Sequence, residues 1–291
     1  MTYPGFDPFV GPAAQRSELW RAGAGAALVL ILYTIGAVGI IAGVGALFSE
    51  QVGPFDIATG ATPIAVLILL FHFVAMVVAV VLVTRFLHKR SGWTLLGDRS
   101  RLVGDFLRML GLALIVSAIA STLAVLILDL SPNVPLGTWL IFLPLALPMI
   151  LLQTGAEELV FRGYLLQQLG ARFGVAARAA WMVLPSLLFA VLHVDMTSQG
   201  SNVWAVLAVI TLFALITADV TARTGSLGAA WGLHFMNNVQ AILIFSLDGP
   251  LSGLSLATVG LEANTPAALP LFAADGVALL VIYALWRRRY G

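Results

Sequence analysis

The chain contains no cysteine, which excludes disulfides and thiolate metal sites. Charge is also scarce. Only 10% of the 291 residues are Asp, Glu, Lys or Arg, against about 25% in an ordinary soluble protein. The net charge of +1 gives no basis for nucleic-acid binding. There is no HExxH, so a zincin motif is absent, and there is neither a GxSxG-type serine motif nor a GxGD aspartyl motif. No repeat or low-complexity segment stands out.

What remains is apolar: 60% of the residues are hydrophobic. Apolar runs of about 18 residues or more read as transmembrane helices. Eight such runs occur, near 23–48, 62–87, 106–130, 137–169, 177–195, 203–221, 226–247 and 268–286. They predict an all-α, polytopic membrane helix bundle with about eight spans, forming one membrane domain over 23–286. The fourth run is too long for one span, so its end is expected to project into the cytosol. Residues 1–22 are polar and rich in Gly and Pro, and the first apolar run exceeds a signal-peptide h-region. They are therefore expected to be a cytoplasmic N-terminal segment rather than a cleaved signal, with 287–291 a basic cytoplasmic tail.

Charge placement orients the bundle. Arg16, Arg21, Lys89, Arg90, Arg99, Arg101, Arg172, Arg178, Arg223 and Arg287–Arg289 all fall in segments on one side. The intervening loops, around 49–61, 131–136, 196–202 and 248–267, carry no Lys or Arg. By the positive-inside rule both termini are cytoplasmic. The Ala-, Gly- and Leu-rich composition and the lack of organelle signals suggest a bacterial plasma membrane.

Against this background "TGAEELVFRG", Thr154 to Gly163, is anomalous. A charge near the bilayer centre costs about 2.5–3.5 kcal/mol or more, so such residues are usually paired or functional. Glu158 and Arg162 are spaced i,i+4 and on their own read as a structural pair. Glu157 is then one acid more than a salt bridge needs. Of the four histidines, His88 sits beside Lys89 at a helix end and reads as interfacial. His72 lies inside the second run and reads as hydrogen-bonded to a neighbouring helix. His193 ends "FAVLH", with Phe189 one turn before it, and His234 opens "HFMNN", with Asn238 one turn after it. The fourth and fifth runs form an antiparallel hairpin turning near Gly174. Glu157 and His193 are equidistant from residue 175 and so lie at similar depth. His234 is about 12–14 Å from its own helix end at 1.5 Å per residue, which suits the same chamber. Singly, an intramembrane His or Asn is ordinary helix–helix glue. Together, these residues bring a base, further titratable groups and hydrogen-bond donors to one level.

The motifs EELVFR, FAVLH and HFMNN fit EExxxR, FxxxH and HxxxN in order. They resemble the CPBP intramembrane proteases, the family of the Rce1-type CAAX proteases and the bacterial Abi proteins. The likeness covers roughly 137–247, the expected catalytic core. It implies an endopeptidase acting near the cytoplasmic side on a membrane-associated peptide or protein. Glu157 would be the base that activates water, and His193 would share that water and pass protons. His234 and Asn238 would bind the oxyanion or help position water. Glu158 and Arg162 would orient and charge-balance the site, with Phe189 as its wall. The chemistry is sensible in its own right: burial makes a carboxylate more basic, and hydrolysis needs donors where negative charge develops.

Other readings stand beside it. A zinc ion could be held by Glu157, His193 and His234, a His₂Glu set. Adjacent helical residues point about 100° apart, so Glu157 and Glu158 would serve one metal poorly, and metal-free glutamate catalysis is the preferred expectation. A non-cutting scaffold or regulator on the same fold would have no need of the acid–histidine set. A proton-coupled transporter would show matching broken helices in two halves, and the Pro144–Pro148 interruption has no counterpart. Asp275 is an intramembrane acid expected to hydrogen-bond in the bundle or line the cavity. The distribution of arginines predicts that reporter fusions after residues 22, 95, 175 and 289 all read cytoplasmic; a periplasmic signal at 175 would also displace the site.

Overall fold

The computed structural model describes residues 3–290. Residues 1–2 and 291, at the ends of the expected N-terminal segment and basic tail, lie outside the described residues. The chain is 79% helical, which satisfies the all-α expectation. The cause is the one read from composition: inside hydrocarbon a span must close its backbone hydrogen bonds internally. In chain order the main helices are α1 (Leu19–Leu47), α2 (Pro63–Phe86), α3 (Arg99–Ile127), α4 (Leu136–Phe173), α5 (Ala179–Val191), α6 (Met196–Thr224), α7 (Gly228–Val239) and α8 (Pro266–Tyr290).

Six of these, all but α5 and α7, are long and apolar enough to cross a membrane. The count of eight spans is therefore not reached by helix length. At 1.5 Å per residue α5 is about 20 Å long and α7 about 18 Å, against a hydrocarbon core of about 30 Å. The apolar runs are as long as expected, but not all of each run is helix. The α5 helix stops at Val191, and the His193 ring turns back to the Phe189 carbonyl at 2.7 Å. The α7 helix passes through a wide turn, Gln240–Ile244, and then Phe245 adopts extended geometry. Three short strands follow from this at the arginine-free end: β1 (Ser131–Pro132), β2 (Phe245–Asp248) and β3 (Ala257–Glu262), ordered β1-β3-β2. β1 pairs antiparallel with β3, Ser131 opposite Thr258, and β2 pairs parallel with it, Phe245 opposite Ala257. Hydrophobic runs alone did not announce this sheet.

The opposite end is more closely built than a polar N-terminal segment suggests. Phe6–Val10 is a short helix whose Phe6 and Phe9 are fully buried beside Trp181 and Leu227. Tyr3 donates to Asp219 Oδ1 at 2.9 Å, and Tyr283 donates to Oδ2 at 2.8 Å. Asp219 thus joins the N-terminal segment, α6 and α8. Arg287–Arg289 form the last turn of α8 rather than a separate tail. His88 is buried rather than interfacial, 2.8 Å from the Tyr164 hydroxyl and 2.6 Å from Gln168 Nε2. Burial holds its pKa below the ordinary histidine range. His72, at a break in α2, is hydrogen-bonded to Tyr33 of α1 at 2.7 Å, as its isolation implied.

Asp275 is exposed on α8 and makes no hydrogen bond among the described residues, so of the two readings left open for it hydrogen bonding within the bundle is not seen.

The placement of α7 rests on "GAAWG". A Cβ on Gly228 would lie 2.1 Å from the Leu102 carbonyl oxygen, and one on Gly232 would lie 2.5 Å from that of Phe106. This small-xxx-small stripe lets α7 meet α3 backbone to backbone, which seats His234. Gly228→Ala and Gly232→Ala are each expected to lower the thermal midpoint, by about 1–3 kcal/mol of overpacking. Gly111→Ala, where a Cβ meets open space, should be nearly neutral in the same melting experiment.

Candidate active site

The α4 helix carries the EELVFRG segment through a wide turn, Leu159–Leu166, of the π type; such turns recur at functional sites. Glu157 and Glu158 precede it, and both are buried, Glu158 completely. Arg162 Nη1 donates to Glu158 Oε1 at 3.0 Å. Its other arm donates to Thr217 Oγ1 and to the Ala214 carbonyl of α6. The guanidinium lies 4.7 Å from the Phe189 ring centroid and 5.9 Å from that of Phe213. The intramembrane cation is thus matched by a carboxylate, two oxygens and two aromatic faces.

His234 of α7 completes the cluster. Its Nδ1 is 2.8 Å from Glu158 Oε1, and its Nε2 is 3.3 Å from Glu157 Oε2. The second approach is within ion-pair range but is not aligned as a hydrogen bond, so Oε2 of Glu157 is a buried acceptor without a donor. Gly155 makes the approach feasible: a Cβ there would lie 2.5 Å from the Trp231 ring. Trp231, one turn before His234, donates to the Leu151 carbonyl at 3.1 Å. Gly155 thus lets α7 approach the acids on α4, while Gly228 and Gly232 set the distance of α7 from α3.

The remaining residues attach to this cluster unequally. The Phe189 ring is 5.9 Å from that of His234 and 4.4 Å from that of His193, so it stands between the two histidines. No hydrogen bond or ion pair joins His193 to either glutamate. Since the Phe189 carbonyl can only accept, Nδ1 of His193 carries the hydrogen of their bond and Nε2 is left to take a proton. Asn238 donates to Gln153 Oε1 at 2.7 Å. Gln153, one turn before Glu157 and almost wholly buried, was not singled out from sequence, nor was Thr217. The i,i+4 step from Gln153 to Glu157 is a signal that could have found the former. For Thr217 nothing in its own neighbourhood points inward.

Among the described residues no three His, Cys, Asp or Glu side chains are placed to hold a metal ion. Glu157, His193 and His234 as placed do not form a zinc cage.

Residues 137–240 match the model of the family described as type II CAAX prenyl endopeptidase Rce1-like. The matched segment is 104 of the 291 residues. It contains every residue of the cluster on α4, α5, α6 and α7. Over 103 residues the chain is 36% identical to the Bacillus subtilis (strain 168) protein named "Uncharacterized protein YyaK". That alignment covers 35% of this chain and 32% of YyaK, so the chain spans about a third of that relative's length. No solved structure matches the chain. Six helices are long and apolar enough to cross a membrane, and the family matched over residues 137–240 is one of CAAX prenyl endopeptidases.

Arg162→Ala is expected to destabilise the protein by about 3–5 kcal/mol, because it leaves Glu158 a buried charge without its cation. Arg162→Lys should recover only part of this, since an ammonium cannot reach Glu158, Thr217 and Ala214 as a fork does. Thermal unfolding in detergent measures both; equal midpoints for wild type and Arg162→Ala would deny the pair its structural role.

Proposed function

We propose that the protein is an intramembrane endopeptidase that hydrolyses a peptide bond near the cytoplasmic side of the membrane, with Glu157 as the base. The carrying observation is the asymmetry of the two glutamates inside an Rce1-like segment. Oε1 of Glu158 is bonded to Arg162 and His234, whereas no hydrogen bond among the described residues reaches Glu157; Oε2 of each glutamate is buried without a donor. A carboxylate oxygen so placed can accept the proton of a water as the water oxygen attacks the scissile carbonyl carbon.

The remaining roles follow from hydrogen-bonding capacity. Asn238 spends one amide hydrogen on Gln153 and keeps a second for the developing oxyanion. His193, with Nε2 open, suits carrying the proton to the leaving amine as the C–N bond breaks. His234 places a ring nitrogen against each carboxylate and so fixes their separation. Phe189 walls the chamber and keeps Arg162 apart from His193. The substrate is a membrane-associated peptide or protein. The family description points to a CAAX-type C-terminus; a leader peptide or a transmembrane remnant would reach the same base. The bilayer on the bacterial plasma membrane is the natural setting.

The reaction is read here as metal-free, with a zinc ion on Glu157, His193 and His234 as the alternative. Glu157→Gln should abolish cleavage while leaving the thermal midpoint nearly unchanged, since it keeps shape and hydrogen bonding. Retention of the full cellular phenotype in that variant would favour a scaffold. In parallel, stoichiometric zinc in the purified protein, with activity lost on chelation and restored by zinc, would reject the metal-free mechanism while keeping the residues.

A further inference from the structure

A cavity of about 600 Å³ opens at the end of the bundle where the loop arginines gather, well away from Glu157 in sequence and lined by none of the cluster described above. One wall is the N-terminal segment, which presents Pro4, Pro8 and Pro12 to the cavity while Phe6 and Phe9 face the core. Proline has no backbone N–H, so this wall offers a ligand little to bond with. The opposite wall carries Trp93, Arg99 and Arg101. Arg99 is exposed and pairs with no carboxylate among the described residues; its guanidinium lies 5.8 Å from the Trp93 ring centroid. Arg101 is 3.5 Å from Asp105. The acid on the lining, Asp98, has turned its carboxylate to Ser100, accepting from its backbone N–H at 2.9 Å and its hydroxyl at 2.6 Å.

A second, independent feature lies behind this wall. Arg90 is buried, 9% exposed, and no carboxylate pairs with it. Its Nη1 donates to Gln167 at 2.6 Å and at 2.7 Å to Thr94 Oγ1, and Thr94 itself lines the cavity. Its Nε and Nη2 have no acceptor. Burial lowers its pKa to about 10, which leaves it a cation at neutral pH. A buried uncompensated charge one hydrogen bond behind the wall makes the cavity attractive to anions.

The level of the cavity identifies the source of the anion. Trp93 is 66% exposed and Trp20 is 61% exposed. Each is paired with an arginine, Arg99 and Arg21 respectively, near the first residues of α3 and α1. Exposed tryptophan beside arginine at helix ends marks the membrane–water interface, and basic pockets between helices at that level hold lipid headgroups. We propose that this cavity binds the phosphate headgroup of an anionic phospholipid.

The test uses the full chain in nanodiscs of phosphatidylcholine, with and without phosphatidylglycerol. Phosphatidylglycerol should raise the thermal midpoint of the wild type by about 3 °C or more, as a ligand of the folded state does. Arg99→Gln alone, and with Arg101→Gln, should lose that rise. Arg172→Gln, an exposed arginine at the same end but off the cavity, should keep it. Glu157→Gln should also keep it, so the outcome is independent of catalysis. Equal midpoints in both lipid compositions would overturn the proposal, as would loss of the rise in Arg172→Gln, which would mark mere surface charge. A full rise with inorganic phosphate in phosphatidylcholine discs would assign the cavity to a free anion instead of a lipid.

Discussion

An arginine and a glutamate closed off from water in a span of α4 constrain everything around them. Neither charge is tolerable there alone, and Glu158 and Arg162 are spaced one turn apart so that each answers the other at 3.0 Å. The pair then recruits its surroundings. The second arm of Arg162 reaches Thr217 and Ala214 on α6, Phe189 of α5 covers the guanidinium, and His234 of α7 meets the same carboxylate oxygen that Arg162 does. One ion pair thereby fixes the relative positions of four helices. A rearrangement that separates these helices would expose the pair to hydrocarbon, so the constraint acts on geometry as much as on stability.

Such convergence requires close packing, and the glycines provide it. Side chains at Gly228, Gly232 or Gly155 would each hold α7 off a neighbour, either the α3 backbone or its own Trp231 off α4. In a bilayer, where the lipid tails are as apolar as the side chains, close van der Waals contact is one of the few terms that favours helix association. The same absence of side chains that draws α7 inward is what brings its imidazole between two carboxylates.

How much of this could be read from the sequence differs by residue. The Glu158–Arg162 pair follows from i,i+4 spacing alone, whereas the pairing of His234 with Glu158 depends on the close approach that Gly228 and Gly232 permit, which spacing to the glutamates does not reveal. The hairpin arithmetic put His193 at the level of Glu157, and the structure ties it to the cluster through Phe189, without a direct polar contact. Span count was less legible, because an apolar run has the same composition whether its last residues are helix, as in α6, or turn and strand, as after Ile244. Polar composition likewise misjudged the N-terminal segment: four buried side chains, Tyr3, Phe6, Phe9 and Val10, decide its placement, and they are diluted by the Gly and Pro around them. Gln153 and Thr217 were hidden for a related reason. Small polar residues in a span read as glue until a partner across the interface shows otherwise.

The division of labour between the two acids is then a consequence of helical geometry. Adjacent residues on a helix point about 100° apart, so one cation cannot serve both carboxylates equally. Oε1 of Glu158 meets Arg162 and His234. Glu157, turned toward the side where Gln153, one turn earlier on α4, receives the amide of Asn238, has only the unaligned approach of His234 Nε2. A sequence with a single glutamate would have to choose between anchoring the cation and activating a water. Two in succession let the second take the cation while the first stays free of it, which is what the proposed role of Glu157 as base requires.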